Sequence, residues 1–176
     1  ASNLTQGLIL NGLLSGTGFN KTGAGTIVLG NAGNTFTGNI NVNQGILSVS
    51  SVGQMGNAAN LVVLSPTTGT SGFRATDDLT FTGTRALQFA GNTNTRQLEV
   101  VGGKTLQFDN AFNLNGTAGQ YASLIKRDQG TLFLNAANAS WGGRLTISGG
   151  VVRTGLASAL GTSATVHASL AATVTA

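Results

Sequence analysis

Few residues in this 176-residue chain could do chemistry: five acids, nine Lys and Arg, one His and no Cys. The acids are Asp77, Asp78, Glu99, Asp109 and Asp128. Clustered carboxylates, basic residues or bound calcium would suit cleavage of a polysaccharide. Asp77 and Asp78 are adjacent, so in a strand they would point to opposite faces; in a turn they would cap the strand at Leu79. Glu99 lies in "QLEVV" between Leu98 and Val100, which read as inward, and is therefore expected to face solvent. His167 stands alone at an outward or corner position, and no Ser-His-Asp set can be assembled around it. The lack of Cys excludes disulfides, thiolate metal sites and cysteine nucleophiles. No catalytic, cofactor-binding or metal-ligating residue is expected, and no enzyme.

The net charge is +4, and a basic excess can indicate nucleic acid, anionic lipid or acidic polysaccharide. The cations are scattered, however: Lys21, Arg74, Arg85, Arg96, Lys104, Lys126, Arg127, Arg144 and Arg153. The adjacent pair Lys126-Arg127 is followed by Asp128, and Arg74, Arg85 and Arg96 are spaced so that some could align on one face of a coil. The expectation is that these charges keep a polar surface soluble, with no nucleic-acid partner. "GTGFNKTGAG" imitates a phosphate loop, but no GKS or GKT follows a strand and no helix follows it. The triplets Asn3–Thr5 and Asn115–Thr117 fit a glycosylation acceptor and arise by chance in so Asn/Thr-rich a chain.

The scaffold must therefore be read from the other residues. Charged residues make up 8% of the chain, against about 25% in ordinary soluble domains. There are 27 Gly and one Pro, and 40% of the residues are hydrophobic. Leu, Val and Ile recur in short alternating runs, which argues against disorder. "GTIVL", "NINV", "GILSV", "NLVVL", "DLTFTG", "RALQFAG", "RQLEVVGG" and "KTLQFDN" each hold two or three alternating apolar residues before a Gly, Asn or Asp. That pattern specifies strands with one buried face. No window has apolar residues at helical spacing, so helix content should be close to nil. No run reaches the roughly 18 apolar residues of a membrane helix, and no signal peptide is visible.

The chain repeats. Shifted by 105 residues, 20–62 meets 125–167 without a gap: Lys21 falls on Lys126, Ile27/Leu29 on Leu132/Leu134, Phe36 on Trp141, Ile40/Val42 on Leu145/Ile147 and Gly45 on Gly150. Two architectures suit such strands, an antiparallel sandwich and a parallel β-helix. Sandwich strands usually run about five or six residues or more, and their hairpins often carry Asn-Gly or Asp-Gly loops. Here the strands are shorter and no hairpin signal recurs. The expected fold is all-β, a parallel β-helix (β-solenoid) with about 20 residues per rung, each rung adding about 4.8 Å. Residues 1–176 read as one continuous segment, eight or nine rungs and about 40 Å long, and as a piece of a longer chain. Leu, Val, Ile and Phe would form inward ladders, with Thr, Asn and Ser outside and at corners. Phe36 and Trp141 are expected beneath a corner rather than on a sugar-binding platform.

The stretch "KTGAGTIVLGNAGNTFTGNINVNQGILSVS" resembles the autotransporter-associated β-strand repeat, also called the passenger-associated transport repeat. That family's pattern runs Lys-Thr-Gly-x-Gly-Thr-Leu-x-Leu, then Asn-Thr-Tyr-x-Gly, a Thr-x-Val-rich strand and Gly-x-Leu-x-Val. Here Phe36 stands for the Tyr and Asn39-Ile40 for the Thr pair; in the second copy Arg127-Asp128-Gln129 and Trp141 replace family residues. "SVGQMGNAANLVV" and "ALGTSATVHASL" are similar to the segment that often follows the repeat. The resemblance implies a right-handed parallel β-helix in a large exported bacterial surface protein, carried across the outer membrane by a C-terminal β-barrel outside this stretch. It implies a structural role as rod, stalk or fibre block, with self-association or neighbouring repeats as partners. The alternative is an adhesin that binds a surface glycan or matrix polysaccharide, or aggregates cells, through its Asn/Thr-rich side. No cofactor is expected.

Overall fold

Alternation this short leaves each strand unable to bury its apolar face alone, and the chain solves this by winding. In the computed structural model, residues 7–90, 95–115, 123–138, 141–161, 166–168 and 172–175 are described, with 113–115, 166–168 and 172–175 described by their backbone. Sheet A contains eight strands in spatial order: β1 (Gly7–Leu10), β3 (Thr26–Leu29), β5 (Gly45–Val49), β7 (Thr70–Ala75), β10 (Thr95–Val100), β13 (Leu124–Arg127), β15 (Leu145–Ile147) and β17 (Val166–Ala168). Sheet B contains β2 (Thr17–Lys21), β4 (Thr37–Val42), β6 (Val62–Leu64), β9 (Leu87–Ala90) and β12 (Asn113–Asn115). Sheet C contains β8 (Leu79–Phe81), β11 (Thr105–Phe108), β14 (Thr131–Leu134), β16 (Gly150–Thr154) and β18 (Ala172–Thr175).

Every pairing among these strands is parallel. Each strand pairs with the strand one turn away, so the molecule is the parallel β-solenoid that the alternation predicts. One 3-10 turn, η1 (Val52–Met55), interrupts it, capped by Ser51 and Gln54.

The register stacks like on like. In sheet A, Ile27 pairs with Leu47, Leu47 with Phe73, Phe73 with Leu98, Leu98 with Lys126 and Lys126 with Ile147. All of these are buried. A fully buried Leu or Phe contributes about 1.5–3 kcal/mol, and one cluster runs from Ile27 to Ala159. Along it the rings form a chain of their own: Phe73–Phe81, Phe81–Phe108, Phe108–Phe112 and Phe112–Trp141, with centroids 4.8–5.8 Å apart.

Rungs differ in length. Thr26 pairs with Ile46 and Lys126 with Ile147, spacings of 20 and 21 residues, as expected. In the middle, Ile46 pairs with Gly72, Phe73 with Leu98 and Leu98 with Lys126, spacings of 26, 25 and 28. The uniform 20-residue rung is thus corrected, because two strands and a loop side fit in the short rung whereas the long one carries three strands. β7, β8 and β9 form one such rung, and β10, β11 and β12 the next. Before them, residues 30–36 and then η1 stand on the side where sheet C later runs. After them, a loop through Trp141 stands on the side of sheet B.

This handover displaces the second copy. Lys21 of β2 is in sheet B, but Lys126 of β13 is in sheet A. Ile27 and Leu29 of β3 are in sheet A, but Leu132 and Leu134 of β14 are in sheet C. Between β2 and β12 the chain passes sheet B five times, then enters β13. A shift of 105 residues therefore equals four turns plus one side.

Candidate functional site

The largest surprise is the place of the cations. Lys21 and Lys126 stand at the ends of β2 and β13 in the inward phase set by Phe19 and Leu124. They are 7% and 0% exposed. The Lys21 ammonium donates to the carbonyls of Thr22, Gly23 and Gln44 at 2.8, 2.6 and 3.1 Å. The Lys126 ammonium donates to those of Arg127, Asp128 and Gly149 at 2.6, 2.8 and 3.2 Å. These are the same three positions shifted by 105. Each ammonium uses its three N–H groups on carbonyls that the tight corner turns inward, where no strand could pair them. Burial lowers both pKa values, Lys126 to about 8, against the pull of Asp128 and Glu99.

Two arginines are also interior. Arg85 donates to the carbonyls of Met55, Gly56 and Asn57 at 3.3, 2.8 and 2.9 Å, closing the end of η1. Arg96 donates from Nε to Leu64 O at 3.2 Å and from Nη2 to Ala90 O, and its guanidinium lies 5.8 Å from the Phe89 centroid. The expectation that these charges serve surface solubility is corrected for Lys21, Arg85, Arg96 and Lys126: they satisfy corner carbonyls. Nor do Arg74, Arg85 and Arg96 align on one outer face, since Arg96 follows the inward phase of Leu98 and Arg85 lies in a corner.

Glu99 is a second correction. It is outward in the pleat, as its neighbours require, yet only 3% exposed. Gln97 donates to it at 3.1 Å, and Arg74, its register partner, stands 3.6 Å away and also 3.6 Å from Asp128. Burial first and then Asp128 raise the Glu99 pKa, while Arg74 and Arg127 oppose them.

The remaining acids lie apart and exposed. Asp77 accepts from the Asp78 N–H at 2.9 Å and pairs with Lys104 at 2.7 Å, a contact that lowers the pKa of Asp77 and raises that of Lys104. Asp78 accepts from Thr105 N at 2.7 Å, tying the turn before β8 to the next rung. Asp109 accepts from Asn135 at 2.8 Å and Gln107 at 2.7 Å, and both bonds lower its pKa. The side chains of His167 and Asn115 and the triplet Asn3–Thr5 lie outside the described residues. Among the described residues, no three of His, Asp and Glu are grouped as metal ligands.

Corners are closed by asparagine, which sequence reasoning placed outside. Asn34, Asn60 and Asn138 are buried. Asn34 accepts from Leu14 N at 2.9 Å and donates to Gln54 O at 2.8 Å; Asn138 accepts from Phe112 N at 2.7 Å and donates to Ala159 O at 2.8 Å. Ala159 lies 105 residues after Gln54, so the two asparagines do one job with a one-residue slip. Phe36 and Trp141 lie beneath these corners, 1% and 0% exposed, as expected. Gly45 and Gly150 adopt φ of 77° and 70°, and a Cβ on either would strike the carbonyl oxygen of Gly25 or Gly130 on the preceding rung.

One outward feature is not explained by the coil. On sheet C, Thr80 pairs with Gln107, Gln107 with Phe133 and Phe133 with Arg153. The Arg153 guanidinium lies 4.9 Å from the Phe133 centroid. A groove of about 400 Å³ runs here, lined by Asp78, Thr80, Thr105, Gln107, Phe133 and Arg153.

A family model, the passenger-associated transport repeat, matches residues 19–49 and 124–153. Each matched segment contains one caged lysine, Lys21 or Lys126, and one of the corner glycines Gly45 and Gly150. No curated protein and no solved structure matched the chain.

Proposed function

From the premise that residues 19–49 and 124–153 of this chain are passenger-associated transport repeats, we propose that it is a non-catalytic rod segment of an exported bacterial cell-surface passenger. One observation carries the reading: sheet A continues without a break from β1 to β17, through both repeats. A stack whose every rung templates the next gives length and stiffness, and its apolar, carbonyl and cationic groups are spent on holding rungs together. Neighbouring rungs are its partners, in the same chain or in another copy.

The test is electron microscopy with fibre diffraction on the purified chain. The expected result is rods with an axial repeat of about 4.8 Å and a length of about 40 Å, from eight sheet A strands. Globules without that repeat would sink the reading. Adhesion to a glycan or matrix polysaccharide is the second reading, and the outward Phe133–Arg153 pair favours it.

A further inference from the structure

The Phe133–Arg153 pair differs from its surroundings in a way that the repeat itself exposes. Shifted back by 105 residues, Phe133 is Val28 and Arg153 is Ser48. Val28 and Ser48 are also register partners, on β3 and β5. The same two strands in the same repeat are thus built with Val and Ser, so stacking does not require an aromatic ring under a guanidinium. Phe133 is also the one aromatic among the described residues that is neither in the core cluster nor packed against it.

The pair has the form of a recognition element. A guanidinium held flat over a ring has lost much of its rotamer freedom before any ligand arrives. Arg153 is exposed and has no ion pair among the described residues, so its N–H fork is open to a planar, bidentate acceptor. Along the same groove, Gln107 gives its N–H to Asp109, which leaves its carbonyl oxygen as the outward acceptor. Thr80 and Thr105 add hydroxyls, and Asp78, already accepting from Thr105 N, keeps further acceptor capacity at the far end. From Thr80 to Arg153 is three register steps, about 14 Å at about 4.8 Å per step.

We propose that this groove on sheet C binds a uronate-containing polysaccharide, with Arg153 taking a sugar carboxylate and Gln107, Thr80 and Asp78 taking hydroxyls of the neighbouring residues. The proposal rests on the adhesion reading and names its ligand class and site. Phe133 acts as a positioning residue for Arg153.

The test uses the whole chain in affinity electrophoresis through gels containing polygalacturonate, dextran or polyglutamate. The variants Phe133→Val and Arg153→Ser, singly and together, recreate the pair found in the first repeat, so they preserve the fold; far-ultraviolet circular dichroism verifies this. Retardation by polygalacturonate is expected, weakened by salt, with affinity falling about tenfold or more in Arg153→Ser and less in Phe133→Val. If the double variant is retarded as strongly as the parent, the site is wrong. Equal retardation by polyglutamate would show that charge alone is read, and would overturn the sugar class. Retardation by dextran and not by polygalacturonate would overturn the inference and leave the adhesion reading standing; no retardation in any gel would remove both.

Discussion

Lys126 carries the sharpest consequences at the scale of single residues. Replacing it with Met keeps the apolar stem but leaves three corner carbonyls without a donor, and the expected loss is about 2–3 kcal/mol in urea unfolding. Its pH dependence has a definite sign. The folded amine titrates at about 8, the unfolded one near 10.4, so between those values the unfolded chain binds more protons. Stability from this group therefore rises as pH increases from about 8 towards 10.4. The thermal midpoint of the parent should climb relative to Lys126→Met across that window, and parallel curves would refute the assignment. Asp128 makes a second case: it adopts φ 60°, where the first copy has Gly23 at 75°. Asp128→Gly should leave stability within about 1 kcal/mol of the parent, since relief of the left-handed conformation offsets a half-exposed ion pair with Arg74. Gly150→Ala should cost more than about 2 kcal/mol, because its Cβ meets main chain of the rung before it.

At the scale of elements, Leu134 tests whether rungs behave as semi-independent units. A carboxylate at this fully buried position on β14 is costly, and solenoid repeats depend on their nearest neighbours. Leu134→Asp should remove amide-exchange protection from β11, β14 and β16 and leave β3, β5 and β7 protected. Uniform loss of protection would mean that the rod folds as one cooperative unit.

The strands themselves were legible in the sequence. Leu132/Leu134 and Leu145/Ile147 show period-2 alternation, and each is inward in the structure. The same alternation puts Lys21 two residues after Phe19, and Lys126 two after Leu124, in the inward phase. The usual rule that charge lies outside hid this, because the carbonyls that receive the ammonium come from a corner whose shape alternation does not encode. Glu99 was correctly assigned to the outer side of its strand, but its cover comes from Arg74, 25 residues earlier, and such cross-rung neighbours depend on rung length. Rung length was misjudged for a related reason: 20-residue spacing holds within each repeat, and the third strand of the middle rungs leaves no periodic mark. The Phe133–Arg153 pair was visible only as two unremarked residues until the register brought them side by side.

At the scale of the whole molecule, the four-turns-plus-one-side period governs what surface the rod presents. Sheet A stays continuous while sheet B gives way to sheet C, so the same thirty-residue motif faces one direction at the start and another 105 residues later. Three such units in succession would bring the motif back to its original bearing, in the manner of a spiral staircase whose landings open on each wall in turn. A stripe of identical contacts down one flank cannot be assembled at that period. Rods of this kind would meet their neighbours from every compass point, which suits a felted mesh rather than a flat ribbon.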